Sequence, residues 1–230
     1  MPDSTAGGGD ASASAVRMSR RDVLTLAGAV AAGGALSLAV RRSAPLGIDI
    51  AANPAAQAAL TGFGGPSGGD PEGRILLAIY SDFACPACRV ADRALADALA
   101  ERGGGVRLLF KDWPIFGPAS RRAAQLAIAA DTLGLYRPFA AALYTAPVRL
   151  AEADLRRAFE GIGGDWAALL AAQAARAAAI DRLLARTAQE AFTLGLRGTP
   201  SFLTRSRLVE GALPPRGFAR LFDASAPTTG

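Results

Sequence analysis

A chain of 230 residues is long enough for one domain with additions or for two small domains. Hydrophobic residues make up 51% of it and mean hydropathy is +0.24, but much of this is alanine, which points to a helix-rich domain rather than a membrane-embedded one. The net charge of +5 comes from 25 basic and 20 acidic residues, with Lys111 the single lysine; no basic block is interleaved with aromatics, so the charge gives no reason to read nucleic-acid binding.

Residues 1–16 are small and polar and read as unstructured. Ser19-Arg20-Arg21-Asp22-Val23-Leu24 follows and leads into a weakly apolar run over residues 23–40, closed by Arg41-Arg42. The segment resembles a twin-arginine export signal. Val23 stands where the usual pattern has Phe, and Thr25 where it often has Lys. Ser37-Leu38-Ala39 is a passable cleavage signature. The run reaches the lower edge of what a membrane span needs, about 17–25 residues, so an uncleaved anchor over residues 23–40 is the alternative. Removing residues 1–42 takes out five Arg and three Asp and leaves a net charge of +3. Residues 43–73 read as a linker. It holds one short helix after the capping signal Asn53-Pro54, and residues 62–73, dominated by Gly, Pro and Asp, read as loop. The folded domain is expected to begin near Arg74.

Residues 74–80 form a continuous apolar run, the mark of a strand buried on both faces. Cys85-Pro86-Ala87-Cys88 follows, and these are the chain's two cysteines. Residues 90–102 are rich in alanine and leucine and predict a helix, with Pro86 suited to its first position. Cys85 then stands at the helix N-terminus, where unsatisfied N–H groups and the positive end of the dipole favour thiolate over thiol. Cys88, about one turn on, is more shielded. Cys85 is therefore the expected attacking sulfur and Cys88 the resolving one. Zinc wants four ligands, and a chain without histidine or further cysteine supplies them only between molecules. A purely structural disulfide across so short a loop would stabilise little. A redox dithiol is the reading preferred over both.

Residues 106–110 predict a second strand, parallel to the first through a right-handed crossover. Helices are predicted over residues 120–134, 138–144, 152–162, 166–175 (capped by Asp165) and 180–194. Gly198-Thr199-Pro200 is a turn into a hairpin of residues 201–204 and 207–210. A helix over residues 215–223 and a frayed tail, 224–230, end the chain. Trp113 and Trp166 read as packing residues, and the pairs Arg121-Arg122 and Arg156-Arg157 as solvated helix faces. Gly103-Gly104-Gly105 is a turn without the Lys and Ser/Thr of a phosphate loop.

The order of these elements resembles the DsbA-like thiol:disulfide oxidoreductases. The likeness rests on Gly69-Asp70-Pro71, on Ser81-Asp82-Phe83-Ala84-Cys85-Pro86-Ala87-Cys88, on Lys111-Asp112-Trp113-Pro114-Ile115-Phe116-Gly117-Pro118-Ala119-Ser120, and on Gly195-Leu196-Arg197-Gly198-Thr199-Pro200-Ser201-Phe202. It covers roughly residues 69–223. It implies an α/β thioredoxin-like fold with a helical domain, about residues 114–194, inserted between the second strand and the cis-proline strand. It further implies that Pro200 is cis and packs beside the cysteines, and that Thr199 offers its backbone to the substrate chain. The redox group is the Cys85–Cys88 disulfide itself, with no cofactor and no metal. The implied partners are cysteine-containing exported proteins and a membrane redox partner, and the implied setting is the periplasm, with a monomer as the default.

Two positions depart from the family. Ala87 stands where DsbA has histidine, which predicts a less oxidising couple than DsbA's. Ile79 stands where thioredoxins and many relatives bury an acid that moves protons to and from the buried cysteine. Asp82 could serve through water, or be a loop or helix-capping carboxylate. Donation of disulfides is the expected activity. The alternatives are a reductase or isomerase, and a chaperone or copper carrier using Cys85 and Cys88 as soft ligands.

Overall fold

The computed structural model describes residues 46–62 and 64–226. The export signal read at residues 1–42, the anchor alternative at 23–40 and residues 227–230 of the tail lie outside them. No helix among the described residues is long and apolar enough to cross a membrane.

The chain runs through β1 (Ile48–Asp49), α1 (Pro54–Thr61), β2 (Ser67–Gly69), β3 (Ile75–Ser81), α2 (Pro86–Arg102), β4 (Val106–Asp112), α3 (Pro118–Asp131), α4 (Tyr136–Thr145), α5 (Glu152–Gly161), α6 (Trp166–Thr193), β5 (Ser201–Leu203), β6 (Arg207–Glu210) and α7 (Pro215–Ser225). The sheet order is β1-β6-β5-β3-β4-β2. β3 and β4 are parallel, from Ile75 opposite Val106 to Ser81 opposite Asp112. Every other pairing is antiparallel. The helical insertion, α3 to α6, lies between β4 and β5 as expected.

Alternation along β3 builds two cores. Ile75, Leu77 and Ile79 face a layer with Leu95 of α2, Phe139 of α4 and Phe218 of α7. Ala78 and Tyr80 point the other way, toward Ala59 and Leu60 of α1 and Ala191 of α6. Successive side chains of a strand take opposite faces, so one buried strand serves both layers. Leu77 is fully buried, and Leu77→Ala there costs about 2–5 kcal/mol.

Three expectations need correction. The stretch read as linker, 43–73, carries two strands and a face-covering helix. β1 pairs with β6, Ile48 opposite Leu208, and β2 pairs with β4, Ser67 opposite Leu109. The glycines that suggested a loop are instead what lets the chain lie against β4. A Cβ on Gly69 would stand 2.5 Å from the Val106 carbonyl oxygen, and one on Gly73 2.7 Å from Arg107 N. Strands of two and three residues also leave no alternation to detect. The short helix itself is where it was expected, with Asn53 Oδ1 accepting from Ala56 N at 3.1 Å. Next, the helices expected at 166–175 and 180–194 are one helix, α6, because the intervening Arg176-Ala177-Ala178-Ala179 has high helix propensity. Asp165 caps it, as read, through Ala167 N and Ala168 N. Last, β4 runs two residues past Phe110, through Lys111 and Asp112. Both are buried, and their charge had ended the apolar pattern.

Candidate active site at Cys85 and Cys88

Each part of the site hangs on an element end. β3 ends at Ser81, and the turn Asp82-Phe83-Ala84 leads to Cys85, the N-cap of α2, with Pro86 as its first residue. Asp82 shapes that turn twice. Its carbonyl accepts from Cys85 N at 3.1 Å, and its Oδ1 accepts from Ala84 N at 2.7 Å. Its Oδ2 accepts from Ile115 N at 2.7 Å and Phe116 N at 3.0 Å. The carboxylate is therefore a clip joining the turn before Cys85 to the loop after β4, and none of its three donors belongs to α2. Ile115 and Phe116, held in this way, are exposed.

Cys85 and Cys88 are free, buried thiols, while Pro86 is exposed and Ala87 half-buried. The Cys85 thiol donates to the Thr199 carbonyl oxygen at 3.3 Å. The Thr199–Pro200 peptide bond is cis, and Pro200 lines a cavity with Cys88. Around that turn, Ser201 Oγ donates to Gly198 O at 2.8 Å and Gly211 N donates to Pro200 O at 2.8 Å. Arg197 N donates to Glu210 Oε1 at 2.7 Å and its guanidinium to Oε2. The proline turn is thus clamped to the end of β6. Burial pushes the Cys88 thiol far up; the Asp82 backbone and the Thr199 hydroxyl oppose this by favouring the thiolate. That hydroxyl is buried without a partner in hydrogen-bonding geometry among the described residues. A sulfur at a helix N-terminus and a second one a turn further on can pass a disulfide between themselves and a third sulfur.

The structure brings all the residues singled out in the sequence to one place: Asp82, Cys85, Pro86, Ala87, Cys88, Thr199 and Pro200. It also adds residues the sequence did not suggest. The Arg89 guanidinium donates to Tyr144 O at 2.8 Å, to Ala146 O and to Phe83 O at 3.0 Å. It ties the end of α4 to the turn before Cys85. Tyr136 OH donates to Asp112 Oδ1 at 3.0 Å. Tyr136, Tyr144, Ser81 and Cys88 line one cavity. The available signal was modest: a buried-looking Asp at the end of an apolar run, and tyrosines on the apolar face of a helix. Ile79, in the acid's place, is a core residue lining the same cavity.

The thioredoxin family profile matches residues 64–224. The chain belongs to the thioredoxin family. Among solved structures it is similar to a thioredoxin-like oxidoreductase from Silicibacter pomeroyi DSS-3, at 29% identity and TM-score 0.68, over 73% of this chain and 96% of that one. It is also similar to the thiol-disulfide exchange protein α-DsbA2 from Wolbachia pipientis, at 20% identity and TM-score 0.70, over 74% and 91%. The catalytic domain of Proteus mirabilis ScsC has the same fold, at 18% identity and TM-score 0.61, over 74% and 93%. No curated protein matches the chain.

Proposed function

We propose that the chain is an exported thiol:disulfide oxidoreductase that donates disulfides to cysteine-containing proteins through Cys85 and Cys88. The observation that carries the reading is the Cys85 sulfur at the N-cap of α2, 3.3 Å from the carbonyl of Thr199 beside the cis-proline. A substrate thiolate attacks Cys85 of the disulfide, and Cys88 leaves with the electron pair. A second substrate thiolate then attacks the mixed disulfide at the substrate sulfur, releasing oxidised substrate and a reduced dithiol. Thr199 and Pro200 hold the substrate chain beside Cys85, Thr199 pairing its backbone with an extended segment. A membrane redox partner restores the disulfide by the reverse exchange. The twin-arginine-type signal at residues 1–42 takes the protein to the periplasm, where it works as a monomer.

The deciding experiment is a redox titration of the Cys85–Cys88 couple against glutathione, paired with the Cys88→Ser variant. A potential well above about −270 mV and a trapped Cys85 mixed disulfide are expected. A potential near or below that value would make the protein a reductant or isomerase. Tight Cu(I) binding with no thiol exchange would make it a copper carrier.

A further inference from the structure

Asp112 is buried at the end of β4, opposite Ser81 of β3. Its bonds differ from those of Asp82. Where Asp82 satisfies both oxygens with backbone N–H groups, Asp112 receives one hydrogen bond, from Tyr136 OH. Its Oδ2 is buried without a hydrogen-bond partner among the described residues. Buried polar atoms left unsatisfied are costly and uncommon. The Tyr136 hydroxyl links Asp112 to the cavity lined by Cys88, Ser81, Tyr144 and Pro200. At about 20 Å³ this cavity has room for one water.

We propose that Asp112 is the internal proton partner of Cys88, reaching it through this cavity and Tyr136. The inference rests on the redox reading above. When substrate thiolate attacks Cys85, the Cys85–Cys88 bond breaks and its electron pair goes to Cys88. The Asp112 carboxyl gives that sulfur a proton. When Cys88 attacks a mixed disulfide at Cys85, the Cys88 thiol gives its proton to the Asp112 carboxylate. The Cys85–Cys88 bond forms, and the other thiolate leaves with the electron pair.

The surroundings suit the exchange. Burial pushes Asp112 up to about 8, with Asp82 and Asp131 adding to the rise and the Tyr136 hydroxyl opposing it. An acid poised near the working pH is the most effective proton carrier. The groups facing the site are Tyr136 and Tyr144 from α4, Asp82 from the turn, Asp131 from the end of α3 and Cys88 from α2. Arg137 lies beside Tyr136, and Asp92 beside Tyr144. Burial also pushes Cys88 up, so the thiol does not shed its proton to neutral water unaided.

The test uses full-length wild type, Asp112→Asn and Tyr136→Phe. Reduced protein is mixed with oxidised glutathione. Acid quenching then gives the rate at which Cys88 resolves the Cys85–glutathione disulfide between pH 5 and 9. Iodoacetamide alkylation of Cys85 is followed in parallel. Asp112→Asn is expected to slow resolution at pH 7 by at least about tenfold and to remove the inflection near pH 8. Alkylation of Cys85 should stay within about twofold, since Asp112 does not serve that sulfur. Asp112→Asn resolving at the wild-type rate with the wild-type profile would overturn the proposal. If Asp112→Asn does not fold, Tyr136→Phe decides: slower resolution supports the relay, and an unchanged rate and profile overturns it. A wild type that accepts no glutathione and resolves nothing would instead overturn the redox reading on which the inference rests.

Discussion

Asp82 spends both carboxylate oxygens on three backbone N–H groups, and each such charge-assisted bond is worth about 1.5–3 kcal/mol. Asp82→Ala is expected to lower stability by about 3 kcal/mol and to speed amide exchange at Ile115 and Phe116. Asp82→Asn should leave the pH profile of disulfide exchange unchanged; a profile that moved would give the carboxylate a part in the chemistry. Burial makes the contribution of Asp112 depend on pH. Its folded-state pKa of about 8 lies above the unfolded value of about 3.9. Its contribution is therefore fully present below pH 4 and is lost as pH rises to 8, a change of a few kcal/mol. Denaturant titrations of Asp112→Asn should show a flatter stability profile over that range and a gain over wild type at pH 8. At Ala87 the expected change is in redox poise. Ala87→His places a cation beside the Cys85 thiolate, stabilising the reduced form, and should raise the potential by about 30 mV or more, where 30 mV is ~1.4 kcal/mol; titration against glutathione reads this directly.

Between elements, the tie that matters most to the site's frame is Lys111 of β4 with Glu190 of α6, 2.6 Å apart, the lysine fully buried. Burial pulls the Lys111 ammonium down and Glu190 holds it up, while Tyr80 OH of β3 also donates to Glu190, at 3.4 Å. Removing one partner of a buried ion pair is strongly destabilising, so Glu190→Ala should cost about 3–5 kcal/mol in chemical denaturation. Lys111→Met combined with Glu190→Leu should recover most of that, since apolar replacement of a buried pair is often neutral. These residues also show what can be read from sequence. The β3 run and the Cys85-Pro86-Ala87-Cys88 start of α2 were legible because burial and capping leave local patterns. Lys111 and Asp112 broke the apolar pattern of β4, because their partners, Glu190 and Tyr136, lie 79 and 24 positions away. Arg89 looked like an ordinary helix residue, since its acceptors are backbone carbonyls that carry no sequence signal. β1 and β2 escaped because their hydrogen bonds are decided by the strands beside them, not by their own side chains.

For the whole molecule, the segment before Arg74 supplies both edges of the sheet. β1 covers the outer side of β6 and β2 the outer side of β4, and α1 adds Ala56, Ala59 and Leu60 to the core. A chain begun at Arg74 would bare two rows of unpaired N–H and C=O groups and the apolar face beneath α1, an invitation to edge-to-edge association. Light scattering and thermal melts should show it aggregating at a lower temperature than a chain begun at Leu46. Equal behaviour would return these residues to the status of a linker.

The pairing of Ile48 with Leu208 also sets an order of events. The first strand among the described residues, β1, finds its partner there some 160 residues later. β3 likewise waits for β5 on one side. The sheet therefore closes backwards, from its last-made hairpin onto its earliest segment, and a chain halted anywhere before Gly198 holds its leading strand single-stranded and open to capture by whatever meets the emerging polypeptide.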